Sequence, residues 1–337
     1  MSVIGSLGLL AALLLPSRPP SALAQSDTIP PIPPPGRMID LGGWGVHLHC
    51  TGERTPGRPT VLLEAGAGGF SVDWSLVQPE VARFARVCSY DRAGMGWSEL
   101  GPRPRTLRQI VWELHTLLER AGERTPLVLV GHSYGGTIAR QFAFTYPNDV
   151  AAIVFDESGH EAGTQVFRDG RMVNLLETAT GRAVPEPQTS NPLRVSDIPP
   201  AIRAQIEASA RQMVTQARRE RLPADANRMR VWAYGQVKHW ATNDNPFEGE
   251  ELALLVARWR GKPHALGDVP IVVLSRGRPE SSDTAREREH ERLQAELLTL
   301  SRRSRQVVAR NAGHSILIDE PEATIAAIRE VLAATRP

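Results

Sequence analysis

The sequence predicts an α/β fold in which a mostly parallel sheet is covered by helices on both faces. Three observations carry that prediction. Short apolar runs alternate with helical segments through residues 37–160 and again through 269–335. Two of the runs, Leu127–Val130 and Val150–Phe155, are apolar at every position, as strands buried on both faces must be. The interval 161–268 breaks the rhythm, with helix formers, breakers at Pro185, Pro187, Pro192, Pro199-Pro200 and Pro223, and no clear strand. It reads as a helical cap inserted over the sheet, which divides the core into residues 37–160 and 269–337.

Ahead of the fold, Val3–Leu15 is an apolar run of 13 residues, shorter than the roughly 20 that a membrane span needs. Ala22-Leu23-Ala24-Gln25 follows it as an A-x-A cleavage site. This predicts a signal peptide over residues 1–24, a periplasmic or secreted protein, and no stable membrane insertion after cleavage. No Lys or Arg precedes the run, so an uncleaved anchor or a mis-chosen start codon stays open. No Cys follows it, which argues against a lipid anchor there. Residues 25–36, rich in proline, read as a linker. Of the 337 residues, 41% are hydrophobic and 23% charged, and 39 basic against 37 acidic side chains leave no excess for a nucleic-acid partner.

The elements follow in order. Arg37–Leu41 and Val46–Cys50 read as strands about a Gly42-Gly43 turn. Thr60–Leu63 and Val87–Tyr90 are further strands, with a helix over Leu76–Phe84 between them. Leu107, Ile110, Val111, Leu114, Leu117 and Leu118 recur at the helical period over Thr106–Ala121, and Gly122 ends that helix. Tyr134–Tyr146 is a helix stopped by Pro147. After the insertion come strand Ile271–Leu274, a charged helix over Thr284–Leu300, strand Gln306–Ala309 and a last helix over Pro321–Ala334. Trp232, Tyr234, Trp240 and Trp259 of the insertion either pack it together or line a pocket.

Gly131-His132-Ser133-Tyr134-Gly135 is the most informative stretch. It fits G-x-S-x-G between an apolar strand and a helix. A sharp turn there exposes the serine hydroxyl, and the glycines let the two backbones approach. With Leu63–Gly69, Tyr90–Ser98 and Gly313-His314 in the same order, the chain resembles the α/β-hydrolase superfamily over about residues 37–335. The resemblance implies an eight-stranded sheet with a cap inserted after the sixth strand. It departs at Ala65-Gly66, where many members carry His-Gly.

On that resemblance Ser133 is the nucleophile and His314, in the loop after the last strand, its base. Four residues compete as the acid: Glu157 and Asp156 after the sixth strand, Glu280 and Asp283 after the seventh. Glu157 holds the position of the acid in the dehalogenase-like branch, and alternation along a strand lets only one of Asp156 and Glu157 face the histidine. The main-chain N–H groups of Ala67 and Tyr134 would form the oxyanion hole. Asp91 and Arg92 read as architectural. His47 and His49 share a strand face without a third metal ligand, His132 reads as structural, and His290 lies in a charge run that reads as a solvated helix face. The same topology makes the strands of Cys50 and Cys88 neighbours, either disulfide-bonded or two buried thiols.

The resulting expectation is ester hydrolysis through an acyl-enzyme, on a small-molecule substrate, with no cofactor or metal required. The same triad serves amidases, peptidases, lactonases and thioesterases. A non-catalytic binding protein of the same fold is the alternative from a different class. Serine in place of aspartate at the turn argues against haloalkane dehalogenase and epoxide hydrolase chemistry. The aromatics of the insertion point to an apolar portion of the substrate.

Overall fold

The structure, a computed structural model, describes residues 31–123, 126–168, 171–241 and 245–335. The expected signal peptide and the linker as far as residue 30 lie outside the described residues. Within the same linker stretch, Ile32 and Pro35 are tied to the fold: the Ile32 carbonyl accepts from Trp97 Nε1 at 2.6 Å, and the Pro35 carbonyl meets His47 Nε2.

The apolar runs pair because each needs both faces covered and both edges hydrogen-bonded. Strands β1 (Arg37–Asp40), β2 (Gly45–Thr51), β3 (Thr60–Glu64), β4 (Val87–Tyr90), β5 (Leu127–His132), β6 (Val150–Asp156), β9 (Ile271–Arg276) and β10 (Ser304–Ala309) form one sheet. Its order is β1-β2-β4-β3-β5-β6-β9-β10. The β1–β2 and β2–β4 pairs are antiparallel, and every later pair is parallel.

Alternation along each strand sends side chains to two cores. Leu62, Leu129, Ile153, Phe155 and Val273 pack with helices α2 (Leu107–Ala121) and α3 (Tyr134–Thr145). Val61, Leu63, Val128, Val130, Val154 and Val272 pack with α1 (Gln78–Val81) and α10 (Pro321–Ala334) on the other face. Helix α2 starts where Thr106 Oγ1 accepts from Gln109 N, and stops at Gly122 in the left-handed conformation (φ 71°). Helix α1 is shorter than expected: a 3₁₀ turn at Ser71–Trp74 precedes it, and it ends at Val81. Helix α8 (Thr284–Glu296) likewise gives way to a 3₁₀ turn at Leu297–Leu300.

Between β6 and β9 the insertion carries helices α4 (Pro200–Val214), α5 (Ala224–Tyr234), α6 (Val237–Trp240) and α7 (Glu248–Trp259). It is not wholly helical. Strands β7 (Gln165–Arg168) and β8 (Arg171–Asn174) form an antiparallel pair, which corrects the expectation of no strand. A signal in the sequence is Asp169-Gly170, a dipeptide favoured in hairpin turns, between the two short runs. Leu252 and Trp259 of α7 are buried in the same apolar cluster as α2 and α3, and residues 32–337 cluster as one compact unit.

Cys50 and Cys88 face each other across β2 and β4 and are joined by a disulfide. Helix α9 (Ile316–Asp319) links the His314 loop to α10.

Candidate active site

At the end of β5 the chain must reverse into α3 within one residue. Ser133 takes that position with φ 53° and ψ −120°, a conformation that L-residues avoid. The flanking glycines are required by space. A Cβ on Gly131 would lie 2.5 Å from the Gly135 carbonyl oxygen, and one on Gly135 would lie 2.3 Å from that of Glu64. The Ser133 carbonyl accepts from Gly136 N at 2.9 Å and Gly159 N at 2.8 Å, which locks the turn from both sides.

His314, in the loop after β10, brings Nε2 to 2.9 Å from Ser133 Oγ. Its loop is pinned by two carboxylates: Gly313 N donates to Asp319 Oδ2 at 2.9 Å and His314 N to Glu280 Oε1 at 3.0 Å. The half-buried His132 is pushed down to about 3 by desolvation and by His314, so its ring is neutral. Its Nε2 donates to the His314 carbonyl at 2.9 Å.

The four candidate acids occupy four different environments. Glu157 follows β6 in the left-handed region (φ 46°), and its fully buried Oε1 lies 3.9 Å from His314 Nδ1. That is a charge–charge contact rather than a hydrogen bond. Asp156 points to the opposite face, where Oδ2 accepts from Thr324 Oγ1 at 2.8 Å and burial raises its carboxyl to about 7. Glu280 serves the His314 main chain, not its ring. Asp283 caps α8 by accepting from Ala285 N and Arg286 N.

Burial opposes the charge on Glu157. The imidazoles of His290 and His314 and the Arg276 main-chain N–H outweigh it, and the carboxyl is held well below the usual range. Burial likewise lowers the His314 pKa, but Glu157, aided by Glu280, lifts it above the ordinary histidine value.

Ala67 lines two cavities. One of about 250 Å³ contains Ser133, His314, Tyr234, Leu317 and Ile318; the other, of about 220 Å³, contains Tyr134, Met95, Ile110 and Glu248. The loop that carries Ala67 is clamped by the buried Arg92, which donates to the Ala65 carbonyl at 2.7 Å and the Gly66 carbonyl at 2.5 Å. His239 of α6 donates from Nε2 to the Gly68 carbonyl at 3.0 Å. Asp91 accepts from Ser71 N and Trp97 N, so this pair of residues has a structural task.

Several residues of this neighbourhood escaped sequence reasoning. Arg276 Nη1 donates to Glu157 Oε1 at 2.5 Å, and His290 Nε2 lies 2.9 Å from the same oxygen. His290 is therefore not a solvated helix residue. Glu287 holds the other arm of Arg276, and Leu293 and Gln294, the buried residues of α8, mark the face that Glu287 and His290 share. Arg230 of α5 pairs with Asp73 at the edge of the Ser133 cavity. Of Trp232, Tyr234, Trp240 and Trp259 in the insertion, Tyr234 lines that cavity. Trp232 packs on Trp97, Trp240 on Tyr234 and Trp259 on His160.

His47 and His49 do not form a metal site: His47 Nδ1 lies 2.9 Å from Asp91 Oδ2 in the core. Among the described residues, the ligand-type side chains that converge are Cys50, Cys88 and Glu123, and the two sulfurs are already bonded to each other.

Comparison with known proteins gives a consistent picture. An uncharacterized protein, YqjL of Bacillus subtilis, is 24% identical over 85% of this chain and 88% of its own length. Two other relatives match over only 18% and 34% of their lengths, so the chain spans a minor part of them. A thermophilic esterase from Thermogutta terrifontis superposes with a TM-score of 0.56 at 20% identity, over 87% of this chain and 95% of that one. The epoxide hydrolase CorEH superposes with a TM-score of 0.59 at 17% identity, over 89% and 99%. Likeness at this identity establishes the fold alone. The sequence profile of the alpha/beta hydrolase family matches residues 60–327, and the chain belongs to that family.

Proposed function

We propose that this protein is a serine hydrolase that cleaves carboxylic esters through an acyl-enzyme intermediate. The reading is carried by the 2.9 Å contact between His314 Nε2 and Ser133 Oγ at the tip of a strained strand–helix turn. Ser133 Oγ attacks the ester carbonyl carbon and its proton passes to His314 Nε2. The Ala67 and Tyr134 N–H groups stabilise the oxyanion, aided by the N-terminus of α3. Collapse expels the alcohol, protonated by His314, and water then deacylates Ser133 by the reverse path.

Glu157 supplies the negative charge that stabilises the His314 imidazolium from 3.9 Å. The two small cavities meeting at Ala67 favour short acyl and alcohol groups, each with an apolar wall, Leu317 and Ile318 in one and Met95 and Ile110 in the other. The alkyl-enzyme route of epoxide hydrolases needs a carboxylate where this chain has Ser133. The Cys50–Cys88 disulfide supports a periplasmic or secreted location, since such bonds persist in oxidising compartments.

The test is hydrolysis of chromogenic esters from two-carbon to long acyl chains by the wild type and Ser133→Ala. Turnover that favours short chains and disappears in the variant supports the reading. A folded protein without ester turnover shifts it to amide or lactone substrates on the same triad, and retention of activity in Ser133→Ala refutes it.

A further inference from the structure

Glu157 does not serve His314 alone. Its Oε1 accepts from Arg276 Nη1 at 2.5 Å and lies 2.9 Å from His290 Nε2, against 3.9 Å from His314 Nδ1. Its Oε2 accepts the Arg276 main-chain N–H at 2.7 Å. Arg276 is fixed at its other end, where Nη2 donates to Glu287 Oε2 at 2.8 Å; Glu287 in turn accepts from Ser281 N at 2.9 Å. The Glu157 and Arg276 side chains are 0% and 8% exposed, so neither charge is well screened. We propose that Arg276 is a positioning residue that divides the Glu157 carboxylate between itself and His314, and thereby sets how basic His314 is. The proposal rests on the assignment of Ser133, His314 and Glu157 made above.

The fold explains how this cation reaches the acid. Strands β6 and β9 run parallel with Asp156 opposite Leu274, so Arg276, two residues further on, overhangs the turn that carries Glu157. Helix α8 then presents Glu287 and His290, one turn apart, to the guanidinium. A carboxylate beside an imidazole stabilises the imidazolium, and a guanidinium bonded to the same oxygen cancels part of that effect. His290 Nε2 lies 2.8 Å from Arg276 Nη1 as well as 2.9 Å from Glu157 Oε1. One nitrogen cannot accept from the first and donate to the second at once, so His290 Nε2 makes one of the two bonds at a time.

The other charged and titratable groups around His314 are placed differently. His132 on β5 is neutral, and Asp156 faces the far side of the sheet. Glu280 and Asp319 bind main-chain N–H groups of the loop, and Asp319 also holds Arg278. Arg219 and the Arg230–Asp73 pair line the Ser133 cavity, whose walls do not include Glu157. Arg286, Asp283 and Glu289 line a cavity of about 770 Å³ together with Glu157, Arg276, His290 and His314. Among the described residues, Arg276 is the guanidinium bonded to the oxygen that faces His314 Nδ1.

The test titrates the His314 ring by NMR in the full chain with ¹³C-labelled histidine, its resonance identified by its loss in His314→Asn. The pH dependence of ester kcat/KM is measured beside it. Arg276→Met removes the cation, Arg276→Lys keeps it, and Glu287→Gln removes the anion that balances it. The expected His314 midpoint rises by about one pH unit in Arg276→Met, stays close to wild type in Arg276→Lys and falls in Glu287→Gln. An unmoved midpoint in a folded Arg276→Met overturns the proposal, as does an equal rise in Arg276→Lys, because charge is then not the cause. If Arg276→Met does not fold, Glu287→Gln decides: a fall supports the proposal and no change overturns it. Absence of ester turnover in every form, wild type included, shifts the catalytic reading to amide or lactone substrates, while the NMR titration still judges Arg276.

Discussion

The two ends of the proposed triad are built by different means. At the nucleophile, geometry comes from the main chain: one strained serine, glycines that admit no Cβ, and carbonyls locked by adjacent amides. Most of it lies within a few residues of sequence, and the Glu64 carbonyl and the Gly159 amide complete it from β3 and from the segment after β6. At the acid, geometry comes from side chains of remote elements, Glu157 after β6, Arg276 on β9, and Glu287 and His290 on α8. The first end leaves the serine one short contact to its base. The second shares one carboxylate among two imidazoles and a guanidinium. A main-chain device fixes a position, whereas a side-chain cluster sets a charge, and the two should fail differently when altered.

The largest expected effect separates the acids. Glu157→Gln lowers kcat by about 10³–10⁴, because the imidazolium loses its counter-charge. Asp156→Asn, Glu280→Gln and Asp283→Asn each stay within about tenfold of wild type, measured as steady-state ester hydrolysis at one pH. A loss in any of these three equal to that in Glu157→Gln would move the acid to that residue. At the other end, Gly135→Ala forces a Cβ onto the Glu64 carbonyl, a main-chain atom that cannot step aside. It lowers unfolding stability by about 3 kcal/mol, read from urea denaturation. Glu157→Gln by contrast leaves the elbow intact.

Asp156 gives the two faces of β6 a pH signature. Its folded pKa of about 7 lies above the unfolded carboxylate value, so between about pH 4 and pH 7 the folded state holds a proton that the unfolded state has released. Stability from this group is present at low pH and is lost as pH rises through that window. Asp156→Asn should flatten that decline, a difference of a few kcal/mol by pH 8, followed as Tm against pH. A slope unchanged in the variant would remove Asp156 as its source. The smallest effect on activity belongs to a region distant in sequence from both triad ends. Replacing Cys50 and Cys88 by serine opens the crosslink between β2 and β4, 38 residues apart in sequence. It costs about 2–4 kcal/mol and leaves kcat unchanged.

What could be read from the sequence follows the same division. Apolar runs and the glycines around Ser133 are local signals, and they mark the strands and the turn because main-chain geometry depends on near neighbours. Alternation along β6 separates Asp156 from Glu157, since adjacent side chains leave a strand on opposite faces. The role of His290 was hidden for the opposite reason. Thr284–Glu296 is charged almost throughout, and only Leu293 and Gln294 reveal which face turns inward. Arg276 is the last residue of an apolar strand, a position that meets ligands in this class of sheet, but its partners lie 119 and 11 residues away. The β7–β8 hairpin was legible in Asp169-Gly170 and was masked by the helix-forming composition around it.

The central claim is that Ser133 carries the acyl group, and the most direct measurement is labelling by a fluorophosphonate, read by mass spectrometry on intact protein and on peptides. The account expects one adduct per chain, on the peptide containing Ser133, formed quickly in the wild type and absent from Ser133→Ala. An adduct on another residue, or ester turnover that survives complete modification of Ser133, would contradict it.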